Sequence, residues 1–244
     1  MVLFENDDVL ALDKPPGVSM ATSTKEGKSA AAAVARLFAA CGVPRPDSPP
    51  LLVHRLDAGT SGVVLFAKTP EAHRALSLAF QERRAKKTYR ALVWGHPVPA
   101  KGTIDLALGR DPKDGRKMRV SAEGKPSSTR YATLRRFSSL ADLELHPETG
   151  RTHQIRVHLS AVGHPIAGDD FYGGASRWRG VPDRRLREAL AGIARPLLHA
   201  ARIEIPEMGI DVTAPLPWDY REILASLAAR PLADRGKELP SSSA

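Results

Sequence analysis

The chain has 244 residues, 42% of them hydrophobic, and a net charge of +9 from 36 Lys and Arg against 27 Asp and Glu. That length suits one large domain or two small ones, and that apolar fraction supports a real core, which excludes a wholly disordered chain. No apolar run approaches the roughly 20 residues that span a bilayer, the start MVLFENDDVL puts acids where a signal peptide needs positive charge, and the single Cys41 excludes an internal disulfide and a multi-cysteine zinc site.

In chain order, Val9 to Leu12 reads as a strand ended by the turn Pro15-Pro16-Gly17. Residues 29–41 are Ala-rich, with Val34, Leu37 and Phe38 at helical spacing and Gly42 as the stop. Pro44 to Pro50 is a loop, and Gly62 to Ala67 a buried strand. Thr69 then caps a helix with Pro70 at its first position, where a missing N–H costs nothing. Its apolar stripe is Ala72, Ala75, Leu76, Ala79 and Phe80. Tyr89 to Trp94 is a strand, and Arg110 to Arg119 an exposed loop or hairpin. In Leu140 to Leu145, Leu143 and Leu145 face one way, Asp142 and Glu144 the other. A helix capped by Thr152 runs through Val162 to Gly163, burying Ile155, Leu159 and Val162. Ala201 to Ile205 is a strand, Trp218 to Ala229 a helix, and 230–244 a disordered tail. Strands outnumber helices without regular alternation, and no linker divides residues 1–229. The expected class is mixed α+β with a large, mostly antiparallel sheet.

The charge points toward nucleic acid. Of the cations 25 are Arg and 11 Lys, and Arg makes planar, bidentate contacts to phosphate and stacks on bases. A GC-rich genome also favours Arg and Ala codons, so composition alone leaves both readings open.

Three clusters could carry chemistry. In His54-Arg55-Leu56-Asp57-Ala58-Gly59-Thr60-Ser61-Gly62, a carboxylate sits on a loop just before a buried strand. Asp57 there can act as nucleophile or general base, or it can simply close an Asx turn on its own loop. In Thr149-Gly150-Arg151-Thr152-His153-Gln154-Ile155-Arg156-Val157-His158, Arg156 borders the buried face of a helix. An interior guanidinium needs a carboxylate; Asp57 is a candidate, and a nearby cation would keep it ionised. The third cluster, Lys86-Lys87-Thr88-Tyr89-Arg90 with Arg83 and Arg84, surrounds one aromatic with cations, which suits backbone contact plus base stacking or a solvated helix end.

Other patterns fail on spacing. Gly59-Thr60-Ser61-Gly62 lacks one residue of a nucleophile elbow, which weakens Ser61 as a hydrolase nucleophile. His153, His158 and His164 miss the pairing of a helical zinc site, and Asp169-Asp170 alternate in direction. No phosphate-binding glycine loop occurs. Neither a metal nor a nucleotide cofactor is expected.

Taken in order, these segments resemble the RluA-type family of RNA pseudouridine synthases. The resemblance rests on Asp13-Lys14-Pro15-Pro16-Gly17, on His54-Arg55-Leu56-Asp57 with Thr60-Ser61-Gly62 and Ala67-Lys68, and on Lys87-Thr88-Tyr89. It continues through Gly124-Lys125-Pro126, Gly150 to His158, Gly163-His164-Pro165-Ile166, Gly168-Asp169, Tyr172-Gly173, Leu198-His199-Ala200 and Ala214-Pro215-Leu216-Pro217. It spans about residues 7 to 220; the Arg-rich stretch 174–195 carries no family motif.

The resemblance implies a single catalytic domain around a long, bent, mostly antiparallel mixed sheet flanked by helices, with a central cleft. It implies a cofactor-free isomerase that breaks the ribose–nitrogen bond of uridine, rotates the base and forms a carbon–carbon bond. Asp57 would be the essential carboxylate, Arg156 its partner, and Tyr89 the ring that stacks on uracil. Arg55 would fill the space left by the flipped base. Arg151 and Gln154 would contact phosphate or ribose, and Lys86, Lys87 and Arg90 would extend the basic track. Many relatives carry an extra RNA-binding domain ahead of these motifs, so RNA capture here is expected to rest on the catalytic domain itself. The expected partner is RNA, large-subunit rRNA before tRNA, bound by a cytoplasmic monomer. The alternative is a non-catalytic RNA-binding protein on the same fold.

Overall fold

The computed structural model describes residues 1–20, 30–44 and 48–228; the expected tail at 230–244 lies outside them. In chain order the elements are β1 (Val2–Glu5), β2 (Val9–Lys14), α1 (Ala30–Cys41), β3 (Leu51–Leu52), β4 (Ser61–Ala67) and α2 (Pro70–Gln81). They continue with β5 (Lys86–Trp94), β6 (Lys101–Asp105), β7 (Leu108–Arg110), β8 (Met118–Val120), β9 (Ser128–Arg136) and β10 (Leu140–Pro147). The last are α3 (Gln154–Ala161), α4 (Arg184–Ala191), β11 (Leu198–Ile205), β12 (Ile210–Thr213) and α5 (Trp218–Ala228).

Ten strands form one sheet, in the order β1-β2-β4-β11-β5-β10-β9-β6, with β12 beside β11 and β3 beside β4. Every pairing in it is antiparallel except β4 with β11. The strands β7 and β8 form a separate hairpin. The class is therefore mixed α+β with a large, mostly antiparallel sheet. No helix among the described residues is long and apolar enough to cross a membrane.

The near-continuous apolar run of β4 follows from cover on both faces. Val63, Leu65 and Ala67 pack with Ala72, Leu76 and Ala79 of α2. Val64 and Phe66 point the other way, onto Val34, Leu37 and Phe38 of α1. The Thr69 hydroxyl caps α2 by accepting from the Ala72 N–H at 3.1 Å. A further core lies on β5 and β10, closed by Ile155 and Leu159 of α3, Leu186 and Leu190 of α4, and Tyr220, Ile223 and Leu227 of α5. In β10, Leu143 and Leu145 alternate as expected, while Asp142 is also fully buried. It accepts from Arg90 and from the Tyr220 hydroxyl.

One glycine aligns the site. Gly62 faces Ala200 across the parallel contact, and Ala200 faces Tyr89 across the next pair. Gly62 holds φ at +112°, and a Cβ there would collide with the Ala200 carbonyl oxygen. Only glycine lets β4 close on β11 at this point, and that closure sets the loop before β4 beside Tyr89.

Two local expectations fail. Thr152 caps nothing: the residue before α3 is His153, in a left-handed conformation (φ 56°, ψ 17°) and without a side-chain capping bond. Val162 is exposed, because α3 ends at Ala161 and the chain turns away before the apolar stripe reaches it. Gly163, at φ +86°, still makes the turn.

Candidate active site

The loop carrying Asp57 is held from several sides. The Thr60 N–H donates to the Asp57 carbonyl at 3.1 Å, closing the turn through the backbone, and the Gly17 N–H donates to the Ala58 carbonyl at 2.8 Å. The fully buried Lys14 ammonium spends its three donors on the carbonyls of Pro15, Ala58 and Thr60, at 3.1, 3.0 and 2.7 Å. Burial lowers its pKa to about 8, with the charge of Asp57 pulling the other way. At the start of the loop, His54 Nε2 accepts the Leu65 N–H at 3.0 Å and the ring stacks on Phe80. Burial takes this imidazole down to about 3, so it stays neutral and its acceptor role holds.

With the turn closed by main chain, the Asp57 carboxylate faces a cleft, and each oxygen has its own neighbour. Arg156 Nη1 lies 3.5 Å from Oδ2 and His153 Nε2 lies 3.9 Å from Oδ1. Arg156 therefore stands beside Asp57 as the sequence suggests, and it has a second, closer partner in Asp169. Arg156 donates to it from Nε at 2.7 Å and Nη2 at 2.8 Å. Asp169 also accepts the N–H groups of Phe171 and Tyr172. The fork uses two guanidinium nitrogens on Asp169 and leaves the third for Asp57. Burial opposes the charge on Arg156, yet the bonds from Asp169 outweigh it and its pKa rises.

The cleft has a volume of about 1030 Å³, at the upper end of small-molecule sites. Arg55, Arg83, Lys87, Arg151, Arg156 and Arg195 line it, against Asp57, Glu148 and Asp170. Tyr89 lines it too, and its pKa is raised by burial and then by Asp57, so the phenol keeps its proton. Arg55 is exposed at the cleft wall. The buried Nε of Arg151 has no hydrogen-bond partner, an unsatisfied donor of the kind that a bound acceptor completes.

Other expected site residues lie elsewhere. Strand alternation puts Lys87 and Tyr89 in the cleft and turns Lys86 and Arg90 to the opposite face. Arg90 is engaged with Asp142, and Lys86 adds its charge beside Glu207. Gln154 is buried, with its amide bonded to Thr149, Ser128, Thr129 and the Arg151 N–H, so it braces the loop before α3. Ser61 is sealed inside the sheet, its hydroxyl on His199 Nδ1 at 3.0 Å, out of reach of any hydrolase substrate. Sequence reasoning gave no role to Asp169, Lys14, His153 or Arg195. For Lys14 a signal existed: a lysine inside an apolar strand must find acceptors.

The chain matches the family model described as RNA pseudouridylate synthase over residues 8–161. It is 38% identical over 226 residues to the dual-specificity RNA pseudouridine synthase RluA of Escherichia coli, covering 90% of this chain and 94% of that one. It is 36% identical over 232 residues to the ribosomal large subunit pseudouridine synthase D of Pseudomonas aeruginosa, covering 93% and 71%. Among solved structures it resembles human RNA pseudouridylate synthase domain containing 4, with a TM-score of 0.72, 25% identity, and 93% and 92% coverage. A carboxylate set against a fixed arginine, in a cationic cleft, on this fold and with these relatives, leads to one conclusion: the chain belongs to the RluA-type family of RNA pseudouridine synthases, which are isomerases.

Proposed function

We propose that Asp57 is the reacting carboxylate with which this enzyme converts uridine to pseudouridine in structured RNA. The observation that carries the reading is the placement of Asp57 in the cleft, 3.5 Å from an Arg156 guanidinium that Asp169 fixes in place. The C1′–N1 bond breaks, the uracil turns, and C1′ bonds to C5; C5 loses a proton and N1 gains one, so atoms and electrons balance without a co-reactant. Asp57 attacks C1′ or takes a neighbouring ribose proton. Arg156 holds it charged and oriented. Tyr89, kept protonated, stacks on the uracil and offers a hydroxyl. The base must leave its stack, which costs a few kcal/mol and least in a loop, and Arg55 fills the space it vacates. Lys87 and Arg151 hold phosphate or ribose.

For the target we favour large-subunit ribosomal RNA, with transfer RNA next. One relative is named as a ribosomal large subunit enzyme and another as an RNA enzyme of dual specificity, which supports that range. The lone cysteine and an RNA substrate favour the cytoplasm, and we read residues 1–229 as one catalytic unit acting as a monomer.

The test is release of tritium from C5-labelled uridine in RNA. Asp57→Asn should lower release at least ~1000-fold while RNA binding persists; wild-type release by that variant overturns the reading. Pseudouridine maps of total RNA with and without the protein name the target, and a map with no lost position favours a non-catalytic binder.

A further inference from the structure

His153 is the group in the cleft that the chemistry above does not use. Only it and Arg83, among the described non-glycine residues, have positive φ. Such a conformation persists where surroundings over-determine it. Its side chain makes no capping bond to α3 and is turned toward Asp57, Nε2 lying 3.9 Å from Oδ1. The ring is held edge-on by Phe171 and Tyr172, at 6.1 and 5.7 Å.

The far side of the ring decides which nitrogen carries the proton. The Tyr172 hydroxyl lies 2.8 Å from His153 Nδ1 and accepts the Met118 N–H of β8 at 3.0 Å. A backbone N–H can only donate, so it takes up an acceptor site of the phenol oxygen and leaves the hydroxyl proton for Nδ1. A neutral imidazole that accepts at Nδ1 carries its proton on Nε2, the nitrogen facing Asp57. The ring is kept neutral by burial and by Arg156, against Asp57 and Asp169, and the balance lowers its pKa. The proton on Tyr172 is secure as well, since burial raises that pKa.

We propose that His153 is a positioning residue for Asp57, locked by Tyr172 and the Met118 N–H in the Nε2–H tautomer and presenting that N–H to Oδ1. The proposal rests on the reading of Asp57 as the reacting carboxylate. The two carboxylate oxygens then differ: Oδ2 meets a cation and Oδ1 a neutral donor, so the carboxylate is oriented without a second positive charge on it. The approach shortens to a hydrogen bond when substrate excludes water from the cleft, as catalytic contacts commonly do. Because Met118 belongs to the β7–β8 hairpin, whose Lys117 lies over the Phe171 ring at 5.4 Å, the lock joins that hairpin to the reacting group.

Two measurements test this. In protein labelled with ¹⁵N-histidine at neutral pH, His153 should show a pyrrole-type Nε2 and a pyridine-type Nδ1, and Tyr172→Phe, which keeps the ring, should let the two average. In single-turnover reactions at saturating RNA, His153→Asn should slow isomerisation about tenfold or more, the scale of one hydrogen bond to a charged group, with RNA affinity unchanged. Asn tolerates a left-handed backbone, so this variant should fold. Tyr172→Phe should slow the reaction in the same sense. An Nδ1–H tautomer, an imidazolium at neutral pH, or a wild-type rate for His153→Asn overturns the proposal. The ¹⁵N readout needs no activity, and only activity of Asp57→Asn would overturn the reading beneath it.

Discussion

Arg195 and Asp219 form a bidentate pair, Nε to Oδ2 at 2.6 Å and Nη2 to Oδ1 at 2.7 Å, against the loop that carries Asp57. The third guanidinium nitrogen of Arg195 donates to the carbonyls of Gly59, Pro196 and Leu198. A Cβ on Gly59 would come within 2.8 Å of the Pro196 ring, so loop and strand entrance are in close contact. Asp219 lies in the first turn of α5. The pair therefore ties the last described helix to the loop that carries Asp57. Burial pushes the Asp219 carboxyl up, but the bonds from Arg195 prevail and hold it below its ordinary value.

Removing the carboxylate leaves a buried guanidinium without its counter-charge, which costs more than the pair itself contributes. Asp219→Ala should lose about 2 kcal/mol of stability, because Asp219 is part exposed and water recovers some of the loss. Urea unfolding reads that loss. Single-turnover isomerisation should also slow, since the Gly59 carbonyl loses a fixed donor two residues from Asp57. Unchanged stability with an unchanged rate would show that Arg195 needs no partner.

Acid should weaken the fold through His199. A carbonyl can only accept, so His199 Nε2 donates to Ala214 at 3.2 Å and Nδ1 accepts the Ser61 hydroxyl. The Ser61 bond needs an unprotonated Nδ1, whereas the Ala214 bond survives protonation and opposes the downward shift. Burial lowers its pKa from 6.5 to about 4. Below 6.5 the unfolded chain takes up this proton and the folded chain does not, so stability is greatest above 6.5 and falls as pH drops toward about 4. The loss at the lower end is on the order of 3 kcal/mol, and His54, lowered to about 3, adds in the same direction. Unfolding midpoints across this window should fall steadily in the native protein and less steeply in His199→Gln. A midpoint that rises as pH drops would contradict the buried neutral ring.

Local pattern carried far in the sequence, and it stopped where partners come from distant segments. β4, the Thr69 cap and the alternation of Leu143 with Leu145 follow from period and propensity, and they recur in the structure. Asp57 sits on the loop before β4 and Tyr89 on β5, and no periodicity says that β4 and β5 are joined through β11; only the order of family motifs links them. The pairing of Asp169 with Arg156 is not legible in the sequence, because Asp169 comes from beyond the Gly163 turn, where helical spacing carries no information. Lys86, Lys87 and Arg90 form one basic cluster by composition, but strand alternation separates Lys86 and Arg90 from Lys87. The two-residue β3 and the 3.9 Å approach of His153 to Asp57 have no sequence signal at all.

RNA capture should depend steeply on salt, and the structure separates which cations carry that dependence. Each phosphate neutralised on a single strand adds about 0.7 to the slope of log K against log salt. Arg151 presents a buried, unpartnered Nε at the cleft, whereas Lys86 lies on the opposite face near Glu207. Arg151→Gln should therefore weaken binding and flatten the slope by about 0.7. Lys86→Gln removes the same charge from the same net total and should leave the slope at its native value. Titrations over a range of salt compare the two directly. Equal flattening by both variants would mean that RNA is held by the overall positive field and not by the cleft, while a flat native response would remove phosphate contact as the basis of capture.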